Sequence, residues 1–189
     1  MTKLYKKKKR CGLCGSVNDY IEVCSTSAFG SPDLDTRPSQ LKRSTIIAWV
    51  KRCPECGYCA SDITNAPFQA RDIVHSSQYA QQLSEETNPE LANSFLCKAL
   101  IDQGLGNYAA ASWACIHAAW TCDDAKKVKS ARKCRNKALD MINKSIAAGY
   151  SLSEEDGEDI EIQVDLLRRA GHIEDAKDFI DAKRNAITN

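Results

Sequence analysis

Two copies of one short pattern, Cys11-Gly-Leu-Cys14-Gly15 and Cys53-Pro-Glu-Cys56-Gly57, constrain this chain more than anything else in it. Each is a pair of cysteines two residues apart, followed by glycine. Two intervening residues let the backbone curl until both thiolates face one point and nearby N–H groups aim at the sulfurs. The glycine takes a left-handed conformation that a side chain resists. Two such knuckles brought together offer four thiolates in a tetrahedron, a ligand set that suits zinc. The sequence therefore predicts one structural zinc ion held by Cys11, Cys14, Cys53 and Cys56. Its binding would supply folding free energy that so small a β module cannot draw from a core. An iron centre takes the same four thiolates. A thiol–disulfide redox pair normally sits at a helix start in a βαβ setting, which neither knuckle has.

The remaining cysteines read differently. Cys56-Gly-Tyr-Cys59 repeats the spacing and Cys24 is a further spare, but the twin pattern favours Cys53 and Cys56 as ligands. Cys97, Cys115, Cys122 and Cys134 fall in predicted helices and read as core packing. His75, His117 and His172 have no metal-ligand spacing to one another or to a cysteine pair. Ten cysteines in 189 residues are fewer than a disulfide-stapled scaffold carries. No apolar signal core follows the basic N-terminus and no apolar stretch is long enough to span a bilayer, so the expectation is a cytoplasmic protein in a reducing compartment, with no membrane partner.

The chain divides by texture into two predicted units: a zinc-ribbon module over residues 1–65 with a long inter-knuckle loop, and a helical domain over residues 66–189. Together they predict an α+β protein, a small β-rich ribbon followed by or packed on an all-α part. Val17–Val23 and Ser44–Arg52 are the predicted strands, the second rich in β-branched and aromatic residues. Ser25–Lys42, with Gly30, Pro32 and Pro38, is a predicted loop. Beyond it, Ala70, Ile73, Val74, Ser77, Ala80 and Leu83 follow the spacing of one buried helical face. Asn88–Pro89 starts a helix ending near Gly104 or Gly106; others cover about Tyr108–Thr121 and Asp124–Ala147. Ser153 with Asp156 opens the next, which stops at Gly171, and the last runs from about Ile173 to Arg184. A weak repeat links Leu105-Gly106-Asn107-Tyr108…Ala111 to Ala170-Gly171-His172-Ile173…Ala176. The spacing of 65 positions is close to twice a tetratricopeptide period, so TPR-like helical hairpins are expected, with an irregular bundle as the alternative.

Two further features bear on function. The loop Gly30-Ser-Pro-Asp33-Leu-Asp35-Thr-Arg37-Pro38 places Asp33, Asp35 and Arg37 in a proline-bounded segment beside the metal. They form either a ligand-recognition site or a set of turn caps and ion pairs that hold the loop. Charge is uneven: residues 1–75 carry 12 Lys+Arg against 7 Asp+Glu, and residues 76–189 carry 14 against 18. Lys6–Arg10 precedes the first knuckle and Lys51-Arg52 the second, so these cations are expected to converge on one edge of the ribbon. There they would contact phosphates, balance a zinc tetrathiolate, or remain solvated. The basic run from Lys126 to Lys137 fans around its helix and implies no single face. Trp113 and Trp120 share a helical face and read as core.

Cys11, Cys14 and Gly15, the Asp33–Pro38 loop, and Cys53-Pro54-Glu55-Cys56-Gly57-Tyr58 resemble a bacterial family catalogued as domain of unknown function 2225. The resemblance covers roughly residues 10–65 and implies a bacterial cytoplasmic zinc protein with helical, often tetratricopeptide-like repeats; it implies no activity. The residues themselves favour a non-catalytic adaptor that binds a protein or peptide partner on a helical surface. The alternative is a nucleic-acid-associated ribbon. Four cysteines fill a zinc shell, and no nucleophile–base pair or phosphate loop stands out, so neither an enzyme nor a small-molecule substrate is expected.

Overall fold

The lysine-rich segment before the first knuckle is a strand. In the computed structural model, which describes residues 1–153 and 157–188, Lys3–Arg10 (β1) pairs antiparallel with Val17–Ser25 (β2), and the first knuckle is the turn between them. The predicted strand over Val17–Val23 is therefore present. β1, unreadable as a strand by itself, exists through its register with β2, from Leu4 opposite Val23 to Arg10 opposite Val17.

The second predicted strand is corrected. Lys42–Ala48 forms a 3-10 helix, and only Lys51–Arg52 (β3) is extended, paired with Cys59–Ala60 (β4) around the second knuckle. Local side-chain bonds override the β-branched composition here. Thr45 Oγ1 donates to the Lys42 carbonyl at 2.7 Å and accepts from Trp49 Nε1 at 2.9 Å, which tightens a helical turn.

The face predicted over Ala70–Leu83 is likewise not one helix. Ala70–Val74 (α1) and Ser77–Leu83 (α2) are separated where Ser76 caps α2, its Oγ accepting from Tyr79 N–H at 3.2 Å. The break rotates the second half, so Tyr79 is buried while Ser77 and Ala80 are exposed. The following helices lie close to their predicted places: Glu90–Gly104 (α3), Tyr108–Asp124 (α4), Val128–Ala147 (α5), Glu158–Ala170 (α6) and Ile173–Thr188 (α7). The helix expected from Asp124 starts four residues later, because Lys126 turns the chain at φ 58. The expected start at Ser153 and Asp156 includes a residue, Asp156, outside those described. Ahead of α6, the Asp159 carboxylate accepts the backbone N–H groups of Leu152 and Ser153 at 3.0 and 2.6 Å.

The repeat read from the sequence marks a recurring turn, which among the described residues occurs three times rather than two with its following alanine and once more, without that alanine, at Gly149. Gly106, Lys126 and Gly171 adopt left-handed φ. In each case the next residue bonds back to close the preceding helix: Asn107 to Asp102, Lys127 to Cys122, His172 to Leu167, at 2.8, 2.8 and 2.9 Å. Each of these three is followed by a buried alanine, Ala111, Ala131 or Ala176. Consecutive helices from α3 to α7 pack on one another in order. A single hydrophobic core runs from Cys11 and Tyr20 in the ribbon through Phe95, Ile116 and Trp120 to Leu166. No described helix is long and apolar enough to cross a membrane.

Candidate metal centre

The two knuckles fold alike. Cys11 N–H donates to the Ser16 carbonyl at 2.8 Å and Gly15 N–H to the Cys11 carbonyl at 2.9 Å. In the second, Cys53 N–H donates to the Tyr58 carbonyl at 2.8 Å and Gly57 N–H to the Cys53 carbonyl at 2.9 Å. Gly15 and Gly57 supply the left-handed turn, at φ 79 and 74. Within each loop, backbone N–H groups point at sulfur: those of Leu13 and Cys14 at Cys11, and those of Glu55 and Cys56 at Cys53.

Facing each other, the knuckles bring the four predicted sulfurs together, all within 4.8 Å of one another. Cys11 Sγ lies 3.8 Å from Cys56 Sγ, and Cys14 Sγ lies 3.6 Å from Cys53 Sγ. A tetrahedron with metal–sulfur bonds of about 2.3 Å has edges of about 3.8 Å, so the donor set fits a tetrahedral ion such as zinc. Cys11, Cys14, Cys53 and Cys56 thus form a cluster that could hold a metal ion. It is closed inward by Cys11 and Cys53 and opens to solvent at Cys14.

The surroundings favour thiolate at two of the four cysteines, Cys14 and Cys53. Burial pushes the Cys53 thiol up, but the Ser16 hydroxyl and the N–H groups of Cys56 and Glu55 outweigh it and hold its pKa at about 6. The Ser16 hydroxyl likewise lowers Cys14, from 3.1 Å. Burial raises Cys11 and Cys56, so the metal-free cluster shares its negative charge unequally. Buried Tyr20 lies alongside, its own ionisation suppressed by burial and by Cys53 and Cys11.

Several supporting residues carried no recognisable signal. Gly12 donates its N–H to the Ile63 carbonyl at 2.8 Å, and a Cβ there would stand 2.6 Å from the Thr64 carbonyl oxygen. Its place inside the first knuckle was the available clue. Tyr79, from α2, donates to the Gly57 carbonyl at 2.9 Å and accepts from Cys59 N–H at 3.1 Å, which seats the second knuckle on the helices. Cys59 is itself buried, as are all four helical cysteines, and all ten cysteines are free thiols. The described cluster contains no histidine.

Asp33, Asp35 and Arg37 are not gathered into one pocket. Asp33 is exposed and pairs with Arg43 at 2.8 Å, while its backbone closes a turn with Thr36 and Arg37. Asp35 is 0% exposed and accepts from Trp120 Nε1 at 2.7 Å and Arg169 Nη1 at 2.9 Å. Arg37 Nη2 reaches Asp124 at 2.6 Å, and its guanidinium lies over the Trp120 ring. Arg169 also meets Asp123, which pairs with buried Arg135. The inter-knuckle loop is thus pinned by its tip to α4 and α6.

The expected convergence of cations is corrected in part. Lys51 is buried, donating to the Ser61 carbonyl at 3.0 Å beside Glu22 at 3.4 Å, and Arg52 meets Glu90 at 3.3 Å. Of the two basic stretches beside the knuckles, only that of β1 keeps open positive charge. No protein-family model matches the chain, and searches of curated proteins and of solved structures likewise find no match, so the family resemblance rests on the quoted motifs.

Proposed function

We propose that this chain is a non-catalytic zinc adaptor, in which the metal fixes the ribbon and the helical surface binds a protein or peptide partner in a reducing, cytoplasmic setting. Zinc in the Cys11–Cys14–Cys53–Cys56 cluster would act as a cross-link with a filled coordination shell, leaving no position for a reacting group. The observation that carries the adaptor reading is a row of clefts between α2, α3 and α5. One, of about 200 Å³, has Leu96, Leu100, Cys115 and Met141 along its floor and Gln78, Gln103 and Lys137 at its rim. The row continues past Gln82 to Lys133 and Asn88, and Lys137 Nζ crosses it to Gln82 Oε1 at 2.9 Å. An apolar floor edged by amides and by the charged Lys137 and Asp140 offers side-chain pockets together with partners for a peptide backbone.

The test is a tagged pull-down from native cells with nuclease present, comparing wild type with a Leu100→Glu variant that retains its metal. Partners recovered by the wild type and lost by the variant support the reading. The same set from both, or none from the wild type, sinks it.

A further inference from the structure

The hairpin that carries the first knuckle has two unlike faces. Tyr20 and Glu22 of β2 point into the protein, Tyr20 into the core and Glu22 to Lys9 and Lys51. Alternation along each strand then sends Leu4, Lys6, Lys8 and Arg10 of β1, with Val17, Asp19, Ile21 and Val23 of β2, to the opposite face. The register aligns them into two rows: Lys6 opposite Ile21, Lys8 opposite Asp19, Arg10 opposite Val17. Lys6, Lys8 and Arg10 are exposed, Val17 is 53% exposed, and Ile21 and Val23 are half-buried outside the core. Among the described residues, Lys6 and Lys8 form no ion pair; on the other face Lys7 is likewise exposed without one, while Lys9 is neutralised by Glu22.

We infer that this outward face binds single-stranded nucleic acid, with phosphates along the β1 cations and bases over the aliphatic row of β2. Successive outward residues on a strand lie about 6.8 Å apart, which suits one cation to each neighbouring phosphate of an extended strand. The second row lies about 5 Å to the side, where an unstacked base finds apolar surface. Duplex DNA offers phosphates but keeps its base faces stacked, so it would leave the aliphatic row unused. A lipid surface would have to bury Asp19, which sits in that row between Val17 and Ile21. A base edge can instead donate to it, as cytosine's amino group does to carboxylates. The reading is independent of the cleft between α2, α3 and α5.

Fluorescence anisotropy of the zinc-loaded full chain with labelled oligothymidylate tests this. Three phosphates neutralised on a single strand give a log–log salt slope of about −2, or roughly 20-fold weaker binding from about 50 to 200 mM salt. Lys6→Ala/Lys8→Ala should cut affinity by at least roughly tenfold at low salt and flatten the slope to about −0.7, with the metal retained. A Lys129→Ala/Lys133→Ala variant on α5 should bind as wild type. Absence of binding at low salt overturns the proposal. So does an equal loss in the α5 variant, or equal binding to anionic phospholipid vesicles or to duplex DNA.

Discussion

At the scale of single residues, the centre depends on groups that are not ligands. Gly12→Ala drives a Cβ against the Thr64 carbonyl, whose backbone cannot swing away. The variant is expected to lose about 1–3 kcal/mol of stability and to bind zinc more weakly, as denaturation and competitive chelation would measure. His117 behaves differently. It lies within ring contact of Trp49, Phe95, Trp113 and Trp120, and burial there, with Lys98 adding to it, pushes its pKa down to about 3. The unfolded chain takes up that proton near pH 6.5, so the neutral ring's contribution is complete above that value. It is lost as pH falls from about 6.5 toward 3. Wild type should therefore lose about 2 kcal/mol more than His117→Phe between pH 7 and 5. Parallel denaturant titrations of the two zinc-loaded proteins give that difference, and equal losses would refute it.

Between elements, the inter-knuckle loop is tied to α4 and α6 through buried Asp35. Removing Arg169 leaves Asp35 buried with Trp120 as its remaining partner; Arg169→Ala should cost about 3–5 kcal/mol while the zinc stoichiometry stays at one per chain. Metal analysis and unfolding curves measure both quantities. The same tie shows what a sequence can and cannot express. The four ligands were legible because metal ligation writes its constraint locally, in two cysteines, a spacing and a glycine. α3 to α7 were legible because start and stop signals are local, with Asn88–Pro89 ahead of α3 and Gly106, Gly149 and Gly171 after the helices they close. Asp35 was visible as unusual, but its partners stand 85 and 134 positions away and leave no local pattern. β1 was hidden for a related reason, since six cations in eight residues look like a solvated tail until β2 supplies the ladder. At Lys42–Ala48 the composition pointed the wrong way, because Thr45 bonding along its own turn outweighed the strand preference of its neighbours.

Taken whole, the molecule has one core shared by ribbon and helices. Metal removal should therefore be felt beyond the knuckles. Chelation is expected to lower Tm and to release the amides of β1, β2 and the Lys42–Ala48 turn to fast hydrogen exchange. α3 to α5, whose packing on one another does not involve the cluster, should keep their helical circular dichroism. Exchange mass spectrometry with and without chelator separates this from global unfolding, in which all elements would exchange together. Thermal scans should show one transition when zinc is present.

The Asp35–Arg169 pair also sets an order of events during synthesis. A ribosome adding about 5–20 residues per second delivers Arg169 roughly 7–27 seconds after Asp35. Until then the tip of the loop can dock on α4, where Trp120 meets Asp35 and Asp124 meets Arg37, but the Asp35 carboxylate lacks its cation. The carboxylate is therefore held by Trp120 before it is neutralised, and completion of the contact waits on the arrival of the sixth helix.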